Sequence, residues 1–505
     1  MNFEVVLGGM RWVAEEMGLV MRNTSFSPNI RDRMDMSAAI TDSEGRIVAQ
    51  AEHIPVHLGS MSVGAKNLID AVGVLDEGEV AVTNDPYISG THLNDVMMIS
   101  PIVFRGKTAG FTAVKAHYVD IGGGTPGSLS ATATDLYQEG LIIPPVTVCR
   151  AWEVDTTLLS IFSANSRTPI SIKGDMLAQI AALRIGVLRM AEMFEKYGSS
   201  VTDAWTKSIA YVERYTRSAV SAIPAGEWQA EDYVELEDRD VVIHVSIRSG
   251  KDVLVVDYSG SSPQLEVPVN AVYGVTVSST AFALKAALDP DLPFNYGFFG
   301  AVVITAPPGS VVNPVKPAPV SAGNVETSQR IVDVVFRALA EPLDLPAASQ
   351  GTMNNILFGG KNWAFYETIG GGAGANRNAD GVSAVQVNMT NTLNTPAEVI
   401  EAQYPLRVTA YRIREASGGS GLFRGGDGIE REFQVLEPCT LTVVGDRSRH
   451  PPWGVKGGGN GACSEYWLMK GDRAFRLLSK QSIKLEKGSK VKILTPGGGG
   501  YGRPS

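Results

Sequence analysis

The chain has 505 residues, 44% of them hydrophobic and 19% charged, with a formal net charge of -9. That composition belongs to a globular protein with core enough for two or three domains, and its acidic balance excludes the basic stripe that nucleic-acid binding needs. Its three cysteines, Cys149, Cys439 and Cys463, are widely separated and form no CxxC pair, which argues against a disulfide framework or thiolate zinc site and for reduced thiols in a cytoplasmic setting.

From the N-terminus, residues 3–22 predict a helix, because Val6, Met10, Val13, Met17 and Val20 recur near the helical period. The same segment mixes charged and apolar residues, so it reads as neither a signal peptide nor a membrane span, and no later apolar run is long enough to cross a bilayer. Residues 36–50 predict a hairpin turning at Asp42 to Gly45. Thr83-Asn-Asp-Pro-Tyr87 is turn chemistry, and residues 102–104 and 111–114 predict short buried strands.

A strong helix is expected over 176–197, stopped by Gly198, and a second over about 202–222. Residues 241–247 and 252–258 then form a hairpin of an antiparallel sheet. Residues 330–340 return to helix, and 431–435, 439–444 and 489–495 are strands. The expected fold is therefore mixed α+β. An N-terminal metal-binding region spans 1–225, a central β-rich region 226–320, and a C-terminal α+β region with a β-rich end 321–505.

Glycine is abundant, at 54 residues, and often clustered, which implies many sharp corners and close backbone approaches. These clusters are not phosphate loops. No GxxxxGK[ST] string exists, and the GxGxxG match Gly122-Gly-Gly-Thr-Pro-Gly127 carries a proline and leads into Ser-rich sequence instead of a helix. If ATP takes part in the reaction, another chain binds it.

The chemistry concentrates in scarce residues. Four of the six histidines, His53, His57, His92 and His117, lie in the first quarter of the chain. His92 and Asp95 share the string Thr91-His-Leu-Asn-Asp95, His117 and Asp120 share Lys115-Ala-His-Tyr-Val-Asp120, and Asp32 and Asp35 lie upstream. Neutral imidazoles with one or two carboxylates suit a catalytic divalent metal that keeps one position for water. The bland alternative for any one His-x-x-Asp pair is a solvated loop or a helix cap, and His53 and His57, which flank Ile-Pro-Val, could be packed, hydrogen-bonded core residues. His244, in an alternating strand, and His450, before Pro-Pro-Trp, read as structural.

Longer strings carry a resemblance. Residues 25–35 and 51–61, Thr83-Asn-Asp-Pro-Tyr87, Thr91-His-Leu-Asn-Asp95 and His117-Tyr-Val-Asp-Ile-Gly-Gly123 resemble the hydantoinase B family, the B subunits of ATP-dependent hydantoinase/oxoprolinase enzymes. So do Gly323-Asn-Val-Glu-Thr-Ser-Gln-Arg330, Ser349-Gln-Gly-Thr-Met-Asn-Asn355, Tyr366-Glu-Thr-Ile-Gly-Gly-Gly372, Met389-Thr-Asn-Thr-Leu-Asn-Thr-Pro396, Pro451-Pro-Trp-Gly454 and the closing Thr495-Pro-Gly-Gly-Gly-Gly-Tyr-Gly502. The similarity runs over essentially the whole chain.

That resemblance implies a division of labour. An A-type subunit with an actin-like ATPase fold activates a cyclic amide or carbonyl compound by phosphorylation, and the B-type partner completes the reaction at a divalent metal (manganese, zinc or iron), within a hetero-oligomer. Carried onto this chain, the implied ligands are His92, Asp95 and His117 plus a carboxylate from the Asp32/Asp35 segment. The family usually has Glu where Asp32 stands, which leaves the fourth ligand open between the two, with Asp35 favoured. His57, His53 and Asp120 are the expected acid/base or orienting groups, Asp120 as a partner holding His117. Expected substrates are hydantoin, N-methylhydantoin or 5-oxoproline. The alternatives are a subunit of a ketone carboxylase of the acetone or acetophenone type, or a non-catalytic subunit that only organises the complex.

Overall fold

The computed structural model describes residues 3–51 and 53–504, Phe3 by its backbone alone. Its N-terminal third is built on one antiparallel sheet of β1 (Met36–Asp42), β2 (Ile47–Ala51), β3 (Val80–Thr83), β4 (Asp95–Phe104), β5 (Lys107–His117), β6 (Val146–Arg150) and β7 (Glu153–Val154), in the order β2-β1-β5-β4-β3-β6-β7. Ten α-helices accompany the sheets among the described residues: α1 (Phe3–Thr24), α2 (Pro28–Arg31), α3 (His57–Val72), α4 (Pro86–Ser89), α5 (Thr156–Ala164), α6 (Pro169–Tyr197), α7 (Ser200–Ser221), α8 (Tyr273–Leu288), α9 (Ser328–Leu343) and α10 (Ala397–Gln403).

The first sheet is covered on both faces, and successive side chains divide between them. Val96, Met98, Val114 and Ala116 join Met10, Met17, Leu183 and Met190 of α1 and α6 in one core. Met97, Ile99 and Ala113 join Met61, Ala65 and Leu68 of α3 in another. Burial of both faces explains why β1 is buried along its whole length and does not alternate. It also puts Asp95, Lys115 and His117 on the face that α3 covers, since they alternate with Val96, Val114 and Ala116.

The helix and hairpin predictions agree with the structure for α1, the β1–β2 pair and the pairing of Asp240–Ser249 with Leu254–Asp257, and α6 ends at Gly198 as expected. Two predictions change. The short strands over 102–104 and 111–114 are the ends of a long β4–β5 hairpin, whose turn passes through Arg105 and Gly106, both at positive φ. The helix expected from 176 begins instead at Pro169, where a proline in the first turn loses no hydrogen bond.

The central sheet, in the order β11-β10-β9-β8, consists of β8 (Gly226–Glu235), β9 (Asp240–Ser249), β10 (Leu254–Asp257) and β11 (Val302–Thr305), with α9 packed on β8 and β9. The C-terminal part holds two sheets. One, ordered β13-β12-β16-β19, contains β12 (Asn355–Gly359), β13 (Ala364–Glu367), β16 (Cys439–Val444) and β19 (Lys480–Leu485). The other, ordered β14-β15-β20-β17-β18, contains β14 (Leu406–Arg414), β15 (Gly428–Val435), β17 (Glu465–Lys470), β18 (Arg473–Arg476) and β20 (Lys490–Leu494). The fold is multi-layered α+β, as the sequence implies.

These parts share interior. Buried Arg330 of α9 lies 2.9 Å from Asp446, which follows β16, and buried Arg447 lies 3.1 Å from Asp232 of β8. The glycine clusters lie where strands of backbone touch one another: a Cβ on Gly498 would sit 1.9 Å from the Ala373 carbonyl oxygen. No helix among the described residues is long and apolar enough to cross a membrane.

Candidate metal centre

Asp95 opens β4 and His117 closes β5, directly opposed in the antiparallel register. Opposed residues in such a ladder bring their Cβ atoms to about 5 Å on the same face, and His117 Nδ1 lies 3.3 Å from Asp95 Oδ1. His92 is delivered by the turn before β4, where the Asp95 amide donates to the His92 carbonyl at 3.0 Å, and its Nδ1 reaches 3.0 Å from Asp95 Oδ2. The buried Asn84 side chain fixes that turn by donating to the Leu93 and Leu141 carbonyls and accepting from the Ile143 amide. The donor atoms of His92, Asp95 and His117 all lie within 4.8 Å of one another.

Two further predicted residues border this triad. The loop carrying Asp35 joins β5 through a hydrogen bond from the His117 amide to the Asp35 carbonyl, and the Asp35 carboxylate stands 3.9 Å from His117 Nδ1. His57, the first residue of α3, places Nε2 3.5 Å from Asp95 Oδ2 and Nδ1 3.1 Å from Ser37 Oγ. Because the Ser37 hydroxyl donates to the Met36 carbonyl at 2.7 Å, it accepts from His57 Nδ1–H, which leaves Nε2 bare and facing Asp95.

One expectation needs correction. Asp120 does not hold His117. Its fully buried carboxylate accepts from the amides of Gly122, Gly127 and Arg167 and pairs with the Arg167 guanidinium at 3.0 Å. Gly122 and Gly127, at φ 91° and 83°, belong to the GxGxxG-like string, so that loop cradles the chain's own carboxylate. Asp32 turns to Arg31 in a two-point ion pair and is partly exposed, whereas Asp35 is buried. His53 packs over Gly18 of α1. His450 pairs with Asp240, and His244 lies against Gly260.

The cluster fits a cation. His92, Asp95, His57, His117 and Asp35 are each no more than 5% exposed. Yet both ring nitrogens of His92, Nε2 of His57 and Oδ2 of Asp95 lack a well-aligned hydrogen bond. Buried polar atoms without partners are costly, and several lone pairs converging on one point are what an ion would satisfy. Burial acts to raise the Asp95 pKa, but the imidazoles of His92 and His117 hold it well below the usual carboxylate range. Burial pushes His57 downward against the pull of Asp95, which favours the neutral ring.

Sequence reasoning missed the residues that arrive from elsewhere. The ring of Tyr366, in β13, stacks on His117 with centroids 5.1 Å apart and planes at 22°. Arg33 places its guanidinium carbon 4.7 Å from the Tyr366 ring centroid. Lys115, one alternation before His117, is fully buried, and its Nζ donates to Ser60 Oγ and the Ser89 carbonyl; burial lowers its pKa to about 7, against the pull of Asp95. Tyr366 lies in one of the family-like strings, but nothing local to that string points toward His117.

On adjacent strand ends of an α+β fold, His92, Asp95 and His117 form a buried two-histidine, one-carboxylate cluster whose donor atoms lie close enough together for one cation. The chain belongs to the Hydantoinase B/oxoprolinase family, whose profile matches residues 1–504. It is 50% identical to an uncharacterised protein of Methanocaldococcus jannaschii, over 99% of this chain and 90% of that one. It is 36% identical to 5-oxoprolinase 1 of Arabidopsis thaliana over 97% of its length but spans only 41% of that protein, and 31% identical to a putative D-/L-hydantoinase B chain of a Pseudomonas species, over 99% and 89%. Among solved structures it is similar to the ATP-dependent caprolactamase of Pseudomonas jessenii, with TM-score 0.93 and 26% identity over 99% of this chain and 90% of that one. Acetone carboxylase, at TM-score 0.89 and 18% identity over 99% and 75%, shares the fold.

Proposed function

We propose that this chain is the B-type component of an ATP-dependent cyclic amidohydrolase, working with an A-type subunit that phosphorylates the amide oxygen of a hydantoin, N-methylhydantoin or 5-oxoproline type of ring. The observation that carries this reading is the buried His92/Asp95/His117 cluster with its unpartnered donor atoms. The chain's likeness to 5-oxoprolinase, hydantoinase and caprolactamase chains supports the substrate class. Asp35 completes the ligand set as the fourth side chain. Manganese, zinc and iron all suit such nitrogen and oxygen donors. When bound, a divalent ion supplies the Lewis acidity that lowers the pKa of water from about 15.7 toward ~7.

The residues of this chain supply the proton chemistry. An unactivated lactam is a poor electrophile, whereas its O-phosphorylated form has an imidate-like carbon open to water. His57, whose bare Nε2 faces the cluster, takes a proton from the water as it adds. His57 passes that proton to the ring nitrogen, and as the added hydroxyl gives up its remaining proton by the same route and re-forms the carbonyl, the nitrogen leaves with the C–N electron pair carrying both water protons. The resulting acyl phosphate is hydrolysed by a second water to carboxylate and phosphate.

The decisive experiment is elemental analysis of the purified wild-type chain beside His92→Ala and His117→Ala. About one metal per wild-type chain, lost in both variants, supports the reading and leads to assays of cyclic amides with ATP and the partner. No metal after reconstitution with manganese or zinc sinks it and favours a non-catalytic subunit. Bicarbonate-dependent ATP turnover with a ketone, and none with cyclic amides, moves the assignment to a carboxylase component.

A further inference from the structure

We infer that Tyr366 and Arg33 are positioning residues for the metal centre, through which the C-terminal part of the chain sets the direction of His117 and Asp35. This rests on the metal-site reading above. The strand ladder fixes where the Cα of His117 lies but not where its ring nitrogens point, because the second side-chain torsion of histidine is broad. Something beyond β5 must choose the plane that turns Nδ1 toward Asp95. The His117 ring contacts two other rings, His92 with centroids 4.9 Å apart and Tyr366 at 5.1 Å. Of these only Tyr366 is anchored independently of the ligands.

That anchoring runs deep into the C-terminal part. The Tyr366 hydroxyl donates to Asn355 Oδ1 at 2.9 Å, and Asn355 Nδ2 donates to Glu326 Oε1 and to the Val444 carbonyl. Tyr366 also lies opposite Leu357 in the β12–β13 ladder. Its ring therefore has little freedom, and a planar ring stacked on it inherits its orientation.

Arg33 does the same for the loop that carries Asp35. Its Nη1 donates to the Tyr366 carbonyl at 3.0 Å and to Asn29 Oδ1 at 3.2 Å, and its Nη2 donates to Thr368 Oγ1 at 3.1 Å. The carbonyl of the same Asn29 accepts the Asp35 amide at 3.0 Å. Arg33 is 1% exposed, so these bonds are not shared with bulk water. One guanidinium thus ties the Asp35 loop to the residue that orients His117. Two ligand side chains from the first quarter of the sequence are aimed by a strand about 250 residues beyond His117 and about 330 beyond Asp35.

The test measures zinc and manganese affinity, by competition with a chelator, in the full chain. Tyr366→Leu is expected to weaken both about tenfold, whereas Tyr366→Phe, which keeps the ring held opposite Leu357 though not the bond to Asn355, stays within about threefold of wild type. Arg33→Lys keeps the charge but loses the planar fork and weakens binding about tenfold. Should Tyr366→Leu fail to fold, Tyr366→Met refills the space without a ring and carries the same comparison. A second readout needs no metal: with 13C-labelled histidine, the ring-current shift of His117 is present in wild type and Tyr366→Phe and absent in the leucine or methionine variant. Wild-type affinity in the ringless variant and in Arg33→Lys, or an unchanged His117 shift, overturns the inference. Failure of the wild type itself to bind either ion overturns the metal-site reading, and the His117 shift still reports on the stacking.

Discussion

Asp95 and His117 are cross-strand partners, the first residue of β4 facing the last residue of β5, with 3.3 Å between Asp95 Oδ1 and His117 Nδ1. A hairpin therefore assembles two of the three residues of the candidate cluster from positions that the sequence separates by the length of two strands. His92 needs only the preceding turn. The triad is a local construction, and what surrounds it is not.

Asp35 and Asp32 separate cleanly in this arrangement. Asp35→Ala is expected to weaken metal binding by about 10- to 100-fold. Asp32→Ala leaves affinity within about threefold and costs no more than about 1 kcal/mol of stability, because its partner Arg31 is partly exposed. Metal titrations of the two variants check this directly, and equal losses in both would contradict the assignment of Asp35.

His57→Gln keeps a polar side chain beside Asp95 but removes the proton acceptor. Metal content is expected to match wild type while turnover of an activated cyclic amide by the complex falls about 100-fold or more. Loss of the metal together with activity would instead make His57 a ligand.

Asp120→Ala tests the correction made by the structure. Removing a buried carboxylate that accepts three backbone amides and the Arg167 guanidinium is expected to cost about 3–5 kcal/mol, read by urea unfolding. The folded variant should hold metal as well as wild type. Metal loss without destabilisation would restore Asp120 as a partner of His117.

Glu326 gives stability a pH dependence. Burial, and next the negative charge of Asp446, raise its pKa from 4.5 to about 8 in the folded chain. The folded state then binds more protons than the unfolded state between these values. Its contribution is most favourable below the unfolded pKa and is lost as pH rises through about 8, with a slope of at most ~1.4 kcal/mol per pH unit. Glu326→Gln should flatten that loss, seen as a smaller drop in the urea midpoint between pH 5.5 and 7.5 than in wild type. An identical drop in both proteins would assign the dependence to other groups.

The sequence by itself determined the elements whose signal is periodic or local. The apolar spacing of α1, the Asp42–Gly45 turn and the glycine that stops α6 all follow from backbone geometry and burial of one face. The family resemblance carried by its strings also singled out His92, Asp95 and His117, whose donor atoms the structure gathers within 4.8 Å of one another. Only the tertiary structure decided which neighbouring carboxylates stand beside that cluster. Asp120, three residues from His117, is drawn off by Arg167 and the Gly122–Gly127 loop, while Asp35, far upstream, is brought to His117 through pairing of β1 with β5. Tyr366 reaches His117 only when β13 is brought against the end of β5. Proximity along a chain predicts contact where a turn or hairpin closes it; beyond that, the competition among buried charges for partners is settled by three-dimensional packing, which no local pattern encodes.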